Sequence, residues 1–295
     1  MEPNLVILAG GISSRMKKSI GSAIEPRLLA DAETKAKAMI GVGEGYRPLL
    51  DYLLFNAREA GYRDIVIVVG ERDSSIRGHY GGKDRGNKFE RLSISYAVQP
   101  IPAGRTKPLG TADALLRALE VRSDWMGKHL TVCNSDNLYS QRALAMMLEV
   151  PSGCALIDYD RDALGFPQSR IEQFAVIIKK PDGAVADIVE KPTPDKVAEA
   201  RDSFGRIGVS MNIWRFPYDC ILPCVRDVPL HPVRLEKELP TAVLMLLQRW
   251  PGLLAAVPLA EPVPDLTDRA DIAAVKEYVV RAFPNFTFGR GRIAR

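Results

Sequence analysis

The residues closest to chemistry come early, in Leu8-Ala9-Gly10-Gly11-Ile12-Ser13-Ser14-Arg15-Met16, directly after an apolar run at 5–8. Adjacent glycines let backbone N–H groups approach phosphate oxygens, and the amide of Ala9 stands at the mouth of the same loop. Ser13 and Ser14 add hydroxyl donors, and Arg15 can give a phosphate two charge-assisted hydrogen bonds at once. The plain reading is a tight strand exit with a solvated arginine. The loop is not a P-loop, because no Gly-Lys-Ser/Thr follows at the required spacing. It is not the dinucleotide-binding GxGxxG either.

Two further places carry chemistry. Gln99 closes the strand-like run 92–98 and is followed by Leu109-Gly110-Thr111-Ala112. Its amide offers a donor and an acceptor to a base edge, and Gly110 lets a flat ring approach the backbone. An ordinary strand end with Thr111 as helix cap is the competing reading. Asp136 follows the apolar run 130–133. A carboxylate at the carboxyl end of a central strand can hold Mg²⁺ against a triphosphate. A turn aspartate bonding its own backbone is the alternative.

These groups need elements to position them. Short β-branched runs at 5–8, 65–69, 92–98, 130–133 and 155–159 read as strands. They alternate with amphipathic stretches at 48–60, 111–120 and 140–150 that read as helices. Pro48 suits a first turn and Gly61 a C-terminal cap. The β-α-β-α order predicts a doubly wound α/β fold with a mostly parallel sheet covered on both faces. Residues 174–179 and 184–190 flank Asp182-Gly183 and predict an inserted hairpin on the substrate side. A strand at 210–214 follows, then helices at 217–225 and 233–249, a strand at 254–257 and a helix at 269–283. One domain over 1–295 is expected. It divides into a nucleotide-binding half (1–150), an acceptor-binding half (151–285) and a basic tail (286–295).

Bulk properties exclude several classes. The 295 residues are 46% hydrophobic, enough for a sizeable core, and net charge is +4. That balance is too mild for a nucleic-acid partner. No run approaches the ~20 apolar residues of a membrane span. No targeting signal is seen, and Cys133, Cys154, Cys220 and Cys224 are scattered. Reduced thiols and a cytoplasmic location are therefore expected. With three histidines and no CxxC pair, a zinc site is not expected.

The opening loop resembles the signature of the sugar-phosphate nucleotidyltransferase family, roughly Leu-Ala-Gly-Gly-x-Gly-Ser/Thr-Arg-Met/Leu. Lys37-Ala38-Met39-Ile40-Gly41-Val42-Gly43 and Pro48-Leu49-Leu50-Asp51-Tyr52 then match the segments that follow it. The resemblance implies a Rossmann-like, GT-A-like fold and assigns Lys37 to the α-phosphate, with Lys35 as a close competitor. Gln99, Gly110 and Thr111 fall in the base-recognition segment. Glu190-Lys191-Pro192 matches Glu-Lys-Pro, whose glutamate takes sugar hydroxyls and whose lysine takes the sugar phosphate. Asn212, in Val209-Ser210-Met211-Asn212-Ile213-Trp214, is either a sugar contact or a buried residue satisfying backbone. Asp265-Leu266-Thr267-Asp268 resembles the closing motif that supplies a second metal carboxylate, unless Asp268 is simply a helix N-cap. Departures occur at Ser13, Ala36, Ala175, Thr267 and Arg269, where the family carries glycine, proline, glycine, glycine and proline.

The resemblance, spanning 5 to about 280, implies Mg²⁺-assisted in-line attack of a sugar 1-phosphate on the α-phosphorus of a nucleoside triphosphate. Asp136 and Asp265 would hold Mg²⁺. Arg15 and the loop amides would hold the leaving pyrophosphate. The substrates are then small molecules, and a homo-oligomer is compatible with the chain. A molybdopterin or alcohol phosphate as acceptor stays open, as does a non-catalytic nucleotide-binding homologue. Asp158-Tyr159-Asp160 also has the Asp-x-Asp form of a glycosyltransferase that uses a finished nucleotide sugar.

Overall fold

A computed structural model describes residues 2–11 and 35–289. Strand β1 (Asn4–Leu8) leads the chain, and helix α1 (Leu49–Ala60) ends at Gly61, whose φ of +111° closes the helix in the left-handed region. Strand β2 (Asp64–Gly70), helix α2 (Ser75–Tyr80) and strands β3 (Asn87–Phe89) and β4 (Leu92–Gln99) follow. Helix α3 (Thr111–Val121), strand β5 (His129–Asn134) and helix α4 (Gln141–Glu149) complete the first half. Ser140 caps α4, its hydroxyl accepting from Ala143 N at 2.9 Å. Then come β6 (Cys154–Asp160), the short helix α5 (Gln168–Ile171), β7 (Ala175–Lys179) and β8 (Val185–Val189). Helix α6 (Pro194–Glu199), β9 (Gly208–Pro217), α7 (Tyr218–Asp227), α8 (Leu239–Arg249), β10 (Leu254–Leu259) and α9 (Asp271–Ala282) finish the described chain.

The strands form one sheet in the order β10-β6-β9-β5-β1-β2-β4-β3, with β7 paired to β8 and β9. Neighbours β5-β1-β2-β4 are parallel, as are β10 and β6. Strand β9 runs antiparallel between β5 and β6, and β3 runs antiparallel at the far edge. The apolar strands explain the two-sided cover: Ile65, Val66, Ile67, Val68 and Val69 of β2 are all fully buried. Along β1, Leu5 and Ile7 join the core beneath α1, α4 and α9, while Val6 joins the core with α3, α7 and α8. Truncating one fully buried leucine of α1, such as Leu53, costs about 2–5 kcal/mol.

One expectation needed correction. The helix expected at 233–249 begins only at Leu239. Pro240 occupies its first turn, and Leu235 has a φ of +55° that no α-helix allows. Residues 231–238 form a closed loop instead, in which His231 N donates to Glu236 O at 2.8 Å and Arg234 pairs with Glu238. Strand β3 and helices α2, α5 and α6 are too short to carry a readable period.

Chain order sets the functional cleft. From β1 the chain builds outward through β2 and β4, then returns to place β5 on the other side of β1. Loops leaving the carboxyl ends of β1 and β5 therefore diverge and leave a crevice. The Ala9-Gly10-Gly11 exit and the Ser135-Asp136 exit lie on its two walls, with Leu8 opposite Asn134 in register.

Candidate functional site

A cleft of about 480 Å³ opens over this crevice, lined by Ala9, Gly10, Gly11, Lys37, Gln99, Gly110, Thr111, Asp136, Glu190 and Asn212, among others. A second hollow of about 370 Å³ continues from it, sharing Lys37, Asn134, Asp136 and Asn212 and adding Phe174, Asp265 and Thr267. Most of the residues singled out from the sequence thus converge from separated segments. Ser13, Ser14 and Arg15 lie outside the described residues.

Gly10 follows β1 and has Gln99 beside it; a Cβ there would stand 3.0 Å from Gln99 Oε1. Gln99 is buried at the end of β4, and its Nε2 donates to Gly110 O at 2.7 Å and to Asp113 Oδ2 at 3.0 Å. Both partners are acceptors, so the amide orientation is set and Oε1 remains for a ligand. The expectation that Gln99 offers a donor as well is corrected here: both of its N–H groups are already taken. Asp113 is held in turn by Arg117 at 3.0 Å. Gly110 has a φ of +109° and packs its α-carbon against Lys237 O, where a Cβ would come within 2.5 Å. Thr111 does not cap its helix; its hydroxyl accepts from Leu239 N at 2.9 Å and ties α8 to the cleft wall.

Lys37 stands in a 3-10 turn whose Ala38 and Met39 are buried, which fixes where its side chain starts. Nζ donates to Asp136 Oδ2 at 3.1 Å. Lys35 lines neither hollow. The turn after β5 carries Asp136 and is stitched to the segment around Asp265. Leu266 N donates to Asp136 O, Leu138 N donates to Pro264 O (both 2.8 Å), and Asn137 bridges to Asp265. That stitching brings Asp265 into the same hollow as Asp136. Burial, followed by the charge of Asp136, pushes the Asp265 carboxyl up to about 6. Arg170 Nη2 at 2.7 Å and the Thr267 hydroxyl at 2.9 Å partly offset this. Asp268 is not the N-cap of α9; Ala270 is, and Asp268 instead accepts from Ala270 N at 2.9 Å.

Glu190 follows β8 and lines the larger cleft, where Arg234 Nη2 donates to it at 2.8 Å. Lys191 is exposed, has a φ of +47° and lines neither hollow. Asn212 interrupts β9 with a φ of +59° and lines both hollows; such strain in a strand marks a backbone held for a purpose. Tyr139 OH donates to the flanking carbonyls of Met211 (2.6 Å) and Asn212 (3.2 Å). Asp158 of the Asp-x-Asp triplet is buried inside β6 and paired with Lys179 at 2.8 Å and with Arg206, away from both hollows. It is a structural ion cluster, and Gly208 is required beside it because a Cβ would overlap Asp158 Oδ1.

Sequence reasoning missed Lys107, Arg234, Glu236 and Glu238 on the cleft wall, and Arg170 behind Asp265. Reading Pro240 as a first-turn proline would have freed 231–238 as a loop. No local pattern announced Arg170. The cysteines are all free, and burial pushes the Cys133 thiol far above its ordinary range, so it is chemically quiet. No helix among the described residues is long and apolar enough to cross a membrane.

The fold and site define an α/β protein with a glycine-, lysine- and carboxylate-lined cleft at the switch point of its parallel strands. A family model described as nucleotidyl transferase matches residues 5–222, and the chain belongs to that family. Among curated relatives, the glucose-1-phosphate adenylyltransferase of Corynebacterium kroppenstedtii is 26% identical over 200 residues, covering 64% of this chain and 44% of that protein. That of Cereibacter sphaeroides is 23% identical over 228 residues, covering 75% and 50%. The chain thus spans about half the length of the curated relatives it matches. Among solved structures, UTP-bound UGPase from Acinetobacter baumannii superposes with a TM-score of 0.69 at 18% identity, covering 99% of this chain and 97% of that one. A putative glucose-1-phosphate thymidylyltransferase from Bacillus anthracis gives 0.67 at 18% identity, covering 98% of each. These two share the fold.

Proposed function

We propose that this protein transfers a nucleoside monophosphate from a nucleoside triphosphate to a sugar 1-phosphate and releases pyrophosphate, with Mg²⁺ as cofactor. The observation that carries this reading is the meeting of Lys37, Asp136 and Asp265 in one cleft beside the Gly10-Gly11 strand exit.

The donor set suits Mg²⁺. Two carboxylates line one hollow, and the charge of Asp136 beside the mostly buried Asp265 is a repulsion that a divalent cation would relieve. No group of three or more His, Cys, Asp or Glu able to cage a metal occurs among the described residues. Mg²⁺ does not need one, since it typically keeps waters and takes substrate phosphates beside one or two carboxylates. When bound, the ion supplies charge neutralisation across the α-phosphate and the leaving pyrophosphate.

The chain's own residues supply the rest. The acceptor phosphate is already anionic, so no general base is needed when its oxygen bonds to the α-phosphorus and the bond to pyrophosphate breaks. Catalysis is then positioning and charge stabilisation. The Gly10 and Gly11 amides approach the phosphates, and Arg15 assists them. Lys37 turns from Asp136 toward the α-phosphoryl oxygens as charge develops there. Gln99 Oε1 accepts a hydrogen bond from the base. Glu190 and Asn212 orient the sugar.

A second acceptor class, another organic phosphate on the same site, is favoured by one observation: Lys191, the lysine of the Glu-Lys-Pro motif, lines neither hollow. One experiment addresses both readings. Pyrophosphate release is measured with Mg²⁺ for each nucleoside triphosphate against a panel of sugar 1-phosphates and of other organic phosphates. Release requiring one sugar 1-phosphate supports the first reading; release with a non-sugar phosphate alone supports the second. Nucleotide binding with no release from any pair overturns both.

A further inference from the structure

Asp265 is held from behind by a residue that no motif points to. Arg170 belongs to α5, a helix of four residues between β6 and β7. Its guanidinium bridges a carboxylate of the segment before α9 and one on the first residue of that helix: Nη2 donates to Asp265 Oδ2 at 2.7 Å, and Nη1 donates to Asp271. Asp271 Oδ2 accepts from the backbone N–H groups of Thr267 and Asp268, each at 2.8 Å, which fixes the turn that carries Thr267. The Thr267 hydroxyl in turn lies 2.9 Å from both oxygens of Asp265.

The carboxylate is therefore gripped on one side by an arginine and a hydroxyl. These fill about two of its roughly four acceptor directions. The remainder are left for the hollow that Asp265 shares with Asp136. The guanidinium also lies 4.6 Å over the ring of Phe166, which packs edge-on against Phe174 at 5.3 Å. Phe174 lines the same hollow, so one arginine ties the acidic side of the cleft to its aromatic wall. A surface ion pair has no such arrangement. Half-buried, two-armed and stacked on a ring, Arg170 has lost most of its freedom to go elsewhere.

We propose that Arg170 is a positioning residue for a divalent cation: with Thr267, it holds the Asp265 carboxylate in the orientation from which that group and Asp136 bind the ion together. This rests on the reading of those two carboxylates as a cation pair. Removing the group that orients a ligating side chain typically weakens metal binding by 10–100-fold.

The test uses Mn²⁺ alone as the probe, followed through the paramagnetic resonance signal of the free ion. Asp265→Ala serves as the protein without the site, and Glu172→Ala, an exposed change at the end of the same short helix, as the control. Arg170→Ala is expected to weaken Mn²⁺ binding about 10-fold. Arg170→Lys, which keeps charge and stem but reaches only one carboxylate, is expected to fall between it and the wild type, and it carries the test if the alanine variant does not fold. A structural role alone would lower the unfolding midpoint and leave the Mn²⁺ affinity of the folded protein unchanged. Wild-type affinity in both Arg170 variants overturns the inference. Mn²⁺ binding that Asp265→Ala does not alter overturns it too, by removing the cation pair. Arg170-dependent binding in a protein that releases no pyrophosphate leaves it standing while the proposed reaction fails.

Discussion

Lys37 Nζ donates to Asp136 Oδ2 at 3.1 Å, although the two residues lie 99 positions apart in the chain. Each keeps a fifth to a quarter of its side chain exposed, so the pair adds at most about 1 kcal/mol to stability. Its significance is placement: a cation and an anion meet where the exits of β1 and β5 diverge. Lys37→Ala and Asp136→Ala are each expected to cut pyrophosphate release by roughly 10²–10³-fold. The thermal midpoint should move little. An unchanged rate in either variant removes that residue from the machinery.

Asp265 gives the metal-free protein a pH-dependent stability. Its folded carboxyl is raised from 3.8 to about 6, mainly by burial. A raised carboxyl holds its proton more tightly in the folded state than in the unfolded one. The associated stability is complete below about pH 4 and is lost as pH rises through about 6. The shift corresponds to at most about 3 kcal/mol, at about 1.4 kcal/mol per unit. Asp265→Asn should flatten this part of the profile in urea titrations run across that window without metal. Parallel profiles for the two proteins would contradict the assignment.

Gln99 is predicted to act through its oxygen only. Gln99→Leu keeps the volume but leaves Asp113 Oδ2 without its donor in a buried place, at a cost of about 1–3 kcal/mol. The KM for the nucleoside triphosphate should rise about 10-fold or more, the worth of one lost hydrogen bond to a ligand. The KM for the acceptor should stay near wild type. A rise confined to the acceptor would place the base elsewhere in the cleft.

Gly110 is predicted to be irreplaceable for a backbone reason. A Cβ there would stand 2.5 Å from Lys237 O at a φ of +109°, and neither partner is a flexible side chain. Gly110→Ala should cost about 1–3 kcal/mol from conformational strain alone. It should also loosen the 231–238 loop, which limited proteolysis reads directly. Wild-type stability and an unchanged cleavage pattern would contradict the close approach.

Much of the fold was legible because its signals are local. Parallel strands buried on both faces are mostly apolar, and β1, β2, β5 and β6 each announced themselves that way. Gly61 marked a helix end through backbone chemistry that any observer of the sequence can read. The antiparallel insertion of β9 between β5 and β6 was not legible, since a strand's direction depends on partners far along the chain. The false helix at 233–238 ran into Pro240, which opens the real helix, and into Leu235, whose φ of +55° belongs to a turn.

The candidate site divides in the same way. By itself the sequence determined residue types and order: paired glycines after an apolar run, a lysine near 37, an amide at 99, and carboxylates at 136 and 265. Only the tertiary structure decided which of them meet. Asp265 reaches Asp136 through backbone hydrogen bonds between two loops, Arg170 reaches Asp265 from a four-residue helix, and Lys191 lines neither hollow despite its motif. The reason is physical: a motif sets side-chain chemistry within a few residues, while distances, burial and charge coupling arise when distant segments pack.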